Sequence, residues 1–128
     1  MYAPQKRYQS LSLTSRIEAA GPHELVTILY EELIRALDVC RAAVTHAKPD
    51  VLRASSDRAS SILVALAGSL DDERGGALAA QLSTIYASMQ QELRMALQAG
   101  EPQRLEAIRR GVGDLLGAWS QISLRQAA

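Results

Sequence analysis

The sequence predicts an all-α protein, an antiparallel up-down four-helix bundle with a flexible N-terminal arm. Four segments carry apolar residues at spacings of three and four, the period of one helix face. Proline or glycine separates these segments, and no strand-like alternation competes with them. Four amphipathic helices with short connections favour an up-down arrangement. We expect the arm at residues 1–20, the bundle at 21–124 with helices at about 22–46, 50–70, 75–99 and 102–122, and a tail at 125–128.

The first predicted helix has the clearest start and the widest apolar face. Gly21 can serve as its N-cap, Pro22 fits the first helical position, and Glu24 lies in the positive first turn. Additional apolar residues broaden the stripe beyond one seam, so we expect this helix to contact at least two neighbours. The stripe comprises Val26, Leu29, Tyr30, Leu33, Leu37, Cys40 and Val44, widened by Leu25, Ile28 and Ile34.

Turn signals delimit the second and third helices. Pro49 disfavours helical geometry at Lys48, so the second helix should begin near Asp50. The run from Asp71 to Gly76 predicts a tight connection to the third helix, which has the most regular apolar seam in the chain. The second stripe comprises Leu52, Ala59, Ile62, Leu63, Leu66 and Leu70, and the third comprises Leu78, Leu82, Ile85, Tyr86, Met89, Leu93, Ala96 and Leu97.

The fourth predicted helix follows a capping glycine and contains three more glycines. Gly100 should end the third helix as a C-terminal cap, and Pro102 should begin the fourth. Gly111, Gly113 and Gly117 each cost up to about 1 kcal/mol relative to alanine in a helix interior. Close approach of a neighbouring helix backbone would explain them, and so would local softness that helps the protein accept a partner.

The first twenty residues are polar but carry scattered apolar side chains. A stable helix is not expected through their first part, which holds Pro4 and the basic pair Lys6 and Arg7. The apolar residues could lie in a hydrophobic groove without forming a core of their own. From these residues alone, a flexible tail and a docking arm are equally supported. The apolar residues are Tyr2, Tyr8, Leu11, Leu13 and Ile17.

Composition bounds the class of protein. A chain of 128 residues suits one domain, and 48% hydrophobic residues without any Phe require an aliphatic core. The 14 basic and 14 acidic residues balance, so no bulk charge favours nucleic acid or anionic lipid. No apolar run reaches the roughly 18 residues of a membrane span, and no signal peptide is evident, so we expect a cytoplasmic protein. Cys40 should be a buried, reduced thiol.

Motifs for catalysis, cofactors or metals were sought and not found. The Glu-x-x-His pair of di-metal bundles is absent, and His23 and His46 fall at the two ends of the first predicted helix. There is no phosphate-binding loop or zinc-like cysteine spacing, and the Arg74-Gly75-Gly76 triplet is weak evidence for RNA binding. We therefore predict no enzyme, cofactor or metal. A chaperone or adaptor, a self-associating bundle and a regulatory module that binds a short amphipathic segment remain open.

Several motifs nevertheless form a pattern that resembles the flagellar secretion chaperone family, FliS. The opening motif is Ala20-Gly21-Pro22-His23-Glu24-Leu25 followed by Ile28-Leu29-Tyr30, and the second is Ser69-Leu70-Asp71 followed by Gly75-Gly76, Leu78, Leu82, Tyr86 and Met89. Trp119 is similar to the closing Ala-Trp of the family, and the resemblance spans nearly the whole chain. Two departures stand out, Gly21 in place of a Ser or Thr cap and Glu31-Glu32 in place of Asp/Asn-Gly.

The resemblance implies a cytoplasmic export chaperone that binds the disordered C-terminal segment of flagellin, prevents premature polymerisation and delivers flagellin to the export apparatus. It also implies that the N-terminal arm covers part of the groove until the client binds, and it leaves room for other flagellar regulators or export components as partners. The alternative is a self-associating bundle or an adaptor for another amphipathic segment. The predicted partner-binding residues are Tyr8, Leu11, Leu13, Ile17, Leu63, Leu66, Leu70, Tyr86 and Trp119.

Overall fold

Five α-helices make up the described part of the chain, one more than the sequence predicts. The computed structural model describes the backbone of residues 4–127 and the side chains of residues 12–71 and 73–122. The helices are α1 (Pro4–Ala19), α2 (Pro22–Thr45), α3 (Pro49–Gly68), α4 (Asp72–Ala99) and α5 (Pro102–Ala127). Residues 4–127 contain no strand, so the all-α prediction is confirmed.

The additional helix, α1, lies in the segment predicted to be an arm. The expectation that no stable helix forms through the first part of this segment was wrong, because α1 begins at Pro4. Between Pro4 and Gly21 the chain has neither glycine nor proline, so nothing interrupts helical hydrogen bonding. At the other end, α5 continues to Ala127 and includes most of the predicted tail at 125–128, while Ala128 lies outside the described residues.

Each of the four prolines is the first residue of a helix. Proline has no N–H to donate, and the first turn of a helix leaves that donor without an intrahelical acceptor in any case. The predicted starts at Pro22 and Pro102 are therefore confirmed, and the start of α3 falls at Pro49. Gly21 is the N-cap of α2, with φ −74° and ψ 174° and no side-chain cap.

Helix α4 starts earlier than predicted because Asp71 caps it. The Asp71 carboxylate accepts hydrogen bonds from the backbone N–H groups of Glu73 and Arg74, both at 3.2 Å. Gly76 then interrupts the helix with φ 51° and ψ −124°, a conformation open to glycine and strained for other residues. The connection between α3 and α4 is thus shorter than predicted, and the bend at Gly76 sets the direction of the rest of α4.

Helices α2 to α5 pack side by side as a ring with antiparallel neighbours. Helix α2 packs closely against α3 and α5, and α4 contacts the same two helices less closely from the far side. Contacting pairs show the directions, because residue numbers rise along one helix as they fall along its neighbour, and for α3 with α4 and for α4 with α5 the short connection between the helices supplies the second point of contact. The pairs are Glu32–Arg58 and Cys40–Ser55 for α2 and α3, His23–Trp119 and Asp38–Arg109 for α2 and α5, Ser60–Gln90 for α3 and α4, and Met89–Gly111 for α4 and α5.

The core is aliphatic except for two tyrosines. The largest fully buried side chains are Tyr30, Ile28, Leu33, Leu37, Leu63, Leu66, Leu105 and Val112. Cys40 is also fully buried and, as a free cysteine, agrees with its prediction. Its thiol donates to the Ser55 hydroxyl at 3.2 Å, and Ser55 in turn donates to the Val51 carbonyl at 2.8 Å. Burial raises the pKa of the Cys40 thiol, which keeps it protonated and poorly reactive.

Only one of the three glycines inside α5 meets a close neighbour. A Cβ on Gly111 would lie 3.3 Å from the Cε atom of Met89 on α4, whereas a Cβ on Gly113 or Gly117 would meet no atom of the described residues within 4 Å. The neighbour at Gly111 is a side chain, so the predicted approach of a helix backbone does not account for these glycines. The other two weaken the middle of α5, and the described residues show no packing reason for them.

A residue with strained backbone geometry lies just after the end of helix α2. Ala47 has φ 52°, in the left-handed region that glycine usually occupies after a helix. The Lys48 N–H donates to the Ala43 carbonyl at 2.9 Å and closes the helix end around Ala47. Because a side chain there costs about 1–2 kcal/mol, Ala47→Gly should raise the free energy of unfolding by about 0.5–1 kcal/mol. Urea unfolding measures the gain, and the matched control Ala67→Gly, on the exposed side of α3, should lower stability by a similar amount.

The hydroxyl groups of the two core tyrosines are hydrogen-bonded to each other. Their hydroxyl oxygens, on Tyr30 of α2 and Tyr86 of α4, lie 2.6 Å apart, and both residues are buried. Changing either one to Phe should cost about 1–3 kcal/mol, because a buried hydroxyl loses its partner. Changing both should cost less than the sum of the single changes, since no unpaired hydroxyl remains. A double-mutant cycle by urea unfolding measures the coupling, and additive losses would contradict a shared hydrogen bond.

The same pair predicts a loss of stability at alkaline pH. Burial raises the pKa of Tyr30 and, together with the hydrogen bond to Tyr30, that of Tyr86. Below the pKa of about 10 of an unfolded tyrosine, the contribution of each tyrosine to the free energy of unfolding is fully present. As the pH rises above about 10, the unfolded tyrosines release protons that the folded pair retains, so this contribution is lost. Between about pH 10 and 11, the double Phe variant should lose less stability than the unmodified protein.

Candidate functional site

An apolar groove opens at the end of the ring where α3 leads into α4. It encloses about 450 Å³ between the N-terminal half of α2, the start of α4 and the C-terminal half of α5. We call it the client groove. Its apolar walls are Val26, Leu70, Leu78, Leu82 and Trp119, its floor includes Tyr30, Ala79 and Tyr86, and its rim includes Ser69, Asp71, Arg74 and Gly75.

The start of α4 is shaped to present leucines to this groove. Leu78 and Leu82 are one turn apart, so they project from the same side of the helix. Leu78 is 52% exposed, a high fraction for a leucine in a folded domain. The bend at Gly76 comes just before these residues, and a Cβ on Gly75 would lie only 2.7 Å from the Ala79 Cβ. Both glycines are therefore needed for this local path of the chain.

Trp119 is held in a fixed position on the α5 side. Its indole stacks on the His23 ring with centroids 4.1 Å apart and 11° between the planes. Its Nε1–H donates to the His23 backbone carbonyl at 3.0 Å, so the polar end of the indole faces α2. The half-buried ring can thus offer apolar surface to the groove. His23, which the sequence places at the start of the first predicted helix, thus packs against a residue near the end of the last one.

Charge is confined to the rim of the client groove. Arg74 is 92% exposed at its side chain and forms only a loose ion pair with Asp71, with Nε 3.8 Å from Oδ2. The tyrosine hydroxyls at the floor are hydrogen-bonded to each other, and burial raises the pKa of both. The groove is therefore uncharged inside at neutral pH, which suits the apolar face of an amphipathic segment. Among the described residues, no group of three or more His, Cys, Asp or Glu could hold a metal ion.

The structure brings three predicted site residues together and separates others from them. Leu70, Tyr86 and Trp119 all line the client groove, with Tyr86 buried at its floor. Leu63 and Leu66 are 1% and 0% exposed in the core, so they support the packing and could touch a partner only if the helices moved apart. Sequence reasoning left three wall residues out of its predicted set, Val26, Leu78 and Leu82. Their stripes were visible, but a stripe does not show which of its members face outward.

Of the predicted arm residues, only Leu13 and Ile17 have described side chains. The side chains of Tyr8 and Leu11 lie outside the described residues. Leu13 is partly buried and Ile17 is 46% exposed, and neither borders the groove. These four residues remain predicted contacts.

An ion-pair cluster ties α1 to the outer side of α2. Arg16 bonds to Glu24 at 3.0 Å and to Glu31 at 3.1 Å. The neighbouring Glu32 pairs with Arg35 and Arg58. Both glutamates that depart from the family pattern thus have ion-pair partners, and these pairs lie outside the client groove.

Comparison with known proteins identifies the family. The family model described as Flagellar protein FliS matches residues 4–126. The chain is 29% identical over 115 residues to the flagellar secretion chaperone FliS of Vibrio cholerae, across 90% of this chain and 85% of that protein. It is 30% identical over 121 residues to the Salmonella typhimurium chaperone of the same name, across 92% and 88%. It is 28% identical over 125 residues to flagellar secretion chaperone FliSB of Pseudomonas aeruginosa, across 96% and 99%. The motifs at the start of α2, the start of α4 and Trp119 thus belong to a family-wide match, and the chain is a member of the FliS family of flagellar proteins.

Proposed function

We propose that this protein is a cytoplasmic export chaperone that binds the disordered C-terminal segment of flagellin, prevents its premature polymerisation and delivers it to the flagellar export apparatus. The observation that carries the proposal is the client groove, an uncharged apolar surface on a member of a secretion chaperone family. Its relatives are named flagellar secretion chaperones, and that name describes no enzyme. No described helix is long and apolar enough to cross a membrane.

The shape of the groove suits a segment that becomes helical on binding. A disordered chain with apolar residues at helical spacing can fold against an apolar groove and cover its own assembly surface. Leu70, Leu78, Leu82 and Trp119 would contact such a segment directly. Tyr86 would lie beneath it and keep the floor closed. The resulting complex would hide the residues through which flagellin subunits associate.

The groove also lies where the ring can adjust at low cost. Helix α4 packs less closely against α3 and α5 than α2 does. Gly113 and Gly117, without close neighbours among the described residues, would further soften the middle of α5. A client could widen the seam between α4 and α5 while the contacts of α2 stay in place. Local softness, one of the two reasons that the sequence suggests for the glycines, stays a prediction.

A titration with a synthetic peptide of the flagellin C-terminal segment tests the proposal. Binding heat reports the affinity, and Trp119, the only tryptophan in the chain, reports by fluorescence whether the groove is occupied. Binding accompanied by a change in Trp119 emission would support the client groove. Absence of binding would favour the alternative functions, a self-associating bundle or an adaptor for another amphipathic segment.

A single exposed leucine should distinguish the client groove from the rest of the surface. Leu78→Asp should weaken peptide binding by about tenfold or more, because it removes apolar contact and places a charge that binding would desolvate. Its effect on stability should be small, since Leu78 is 52% exposed. The matched control is Val64→Asp on α3, which changes a 63% exposed valine outside the groove. Equal losses of affinity in the two variants would contradict the assignment of the groove.

The N-terminal arm should compete with the client. If Tyr8 and Leu11 cover part of the binding surface in the free protein, replacing both by Ala should tighten peptide binding and leave the thermal melt nearly unchanged. The matched control is Ser12→Ala, an exposed position of α1 without apolar surface to lose. Titration calorimetry measures the affinities, and an unchanged affinity in the double variant would remove the arm from the mechanism.

A further inference from the structure

One residue at the start of α2 holds the indole of Trp119 in two ways. The His23 ring stacks on the indole with centroids 4.1 Å apart and 11° between the planes. The His23 backbone carbonyl accepts a hydrogen bond from Trp119 Nε1–H at 3.0 Å. The stack fixes the tilt of the indole and the hydrogen bond fixes the position of its polar edge, so both contacts pull the ring toward α2.

The His23 imidazole contributes a flat face here rather than a polar group. Its Nε2 atom is buried and has no hydrogen-bond partner among the described residues. A buried nitrogen without a partner lowers stability, so hydrogen bonding by Nε2 does not explain why the ring lies in this place. What the ring does in this position is cover one face of the Trp119 indole.

His23 itself has a firm support, whereas Trp119 has less of one on its own helix. Pro22, the first residue of α2, restricts the backbone just before His23, and the Thr27 hydroxyl donates to the His23 carbonyl at 3.4 Å. Trp119 follows Gly117 by two residues, and a glycine adds backbone freedom. The contacts with α2 therefore decide where the indole lies.

An indole released from α2 would find apolar surface across the client groove. Leu78 is 52% exposed, Leu82 is partly buried, and both line the groove together with the half-buried Trp119. An indole that turned onto these leucines would remove apolar area from water on both sides. It would also occupy part of the 450 Å³ that a client segment needs.

We propose that His23 is a positioning residue, which holds Trp119 against α2 and so keeps the client groove open in the free protein. A client then enters without first displacing a side chain of the chaperone, and such preorganisation raises affinity. The effect on client affinity rests on the proposed function, whereas the hold on Trp119 does not. His23 thus acts on the groove although it does not line it.

The fluorescence of Trp119 in the free protein tests the hold directly. In His23→Ala, the emission should shift to shorter wavelength and acrylamide should quench it less, because the indole moves onto the leucines of the groove. His23→Phe should keep the unmodified spectrum, since it retains a flat ring and removes no hydrogen bond of Nε2. The matched control is His46→Ala, which changes an exposed histidine at the other end of α2. An unchanged spectrum in His23→Ala, or a shift to longer wavelength, would overturn the proposal.

A second substitution identifies where the released indole goes. Adding Leu78→Asp to His23→Ala should move the emission back toward longer wavelength, because it replaces the most exposed apolar side chain that lines the groove. Far-UV circular dichroism and thermal melts check that each variant keeps its helices. Emission that stays at short wavelength in the double variant would contradict closure of the groove by Trp119.

Peptide titration connects the hold on Trp119 to client binding. His23→Ala should weaken binding of the flagellin C-terminal peptide by about five- to tenfold, and His23→Phe should bind within about twofold of the unmodified protein. A loss of affinity that His23→Phe fails to restore would overturn the positioning role. If the unmodified protein binds no peptide, the proposed function fails by itself, and the emission spectra of the free variants still decide whether His23 holds the groove open.

Discussion

The fold depends on helix α2, which buries two flanks at once. A narrow apolar stripe can pack against one neighbouring helix. The stripe of α2 is wider and includes residues on both sides of its inner face, which α3 and α5 cover. Without phenylalanine the chain cannot fill this space with a few large rings, so it uses many leucines and isoleucines. The tyrosine pair is the exception, and its mutual hydrogen bond lets two large aromatic residues enter the core without an unsatisfied hydroxyl.

The close packing of α2 leaves α4 as the adaptable member of the ring. Ion pairs from Glu32, Asp38 and Arg41 join α2 to its two neighbours, although their exposure limits each to a fraction of a kcal/mol or little more. At the client groove, α4 bends at Gly76 and then presents Leu78, which is 52% exposed, and Leu82, which is only partly buried. The closely packed α2 side can keep the fold intact, while the α4 side has apolar surface exposed to solvent. A protein that holds a partner without unfolding needs both properties.

Sequence reasoning predicted what local chemistry determines. Proline marks helix starts because its φ is restricted and it has no N–H to donate, and glycine marks helix ends because it tolerates positive φ. The helix starts at Pro22 and Pro102 and the C-cap at Gly100 follow these rules. Helix α1 was missed because it has almost no apolar periodicity, so only its freedom from glycine and proline after Pro4 could have indicated it. Asp71 was treated as part of a connection, although a side-chain cap begins a helix there.

The candidate site was harder to predict because it depends on contacts between distant residues. Periodicity places Leu63 and Leu78 equally well on apolar faces, yet one is buried and the other is half exposed. The distinction comes from the tilt and spacing of neighbouring helices, which a single stripe does not encode. The stacking of Trp119 on His23 joins residues 96 positions apart, and neither residue alone indicates the other.

The apolar area of the client groove limits the affinity that it could give the proposed client. Leu70, Leu78, Leu82 and Trp119 are already partly buried, so covering each contributes about 1–1.5 kcal/mol, or about 4–6 kcal/mol in all. Ordering a disordered segment costs about 2–5 kcal/mol, which leaves little net affinity. Ile85 lies two turns beyond Leu78 on α4 and Ile122 one turn beyond Trp119 on α5, and they are 37% and 36% exposed. If the protein binds a client as proposed, a segment long enough to reach these residues would add apolar contact, so tight binding would need a client segment longer than the groove itself.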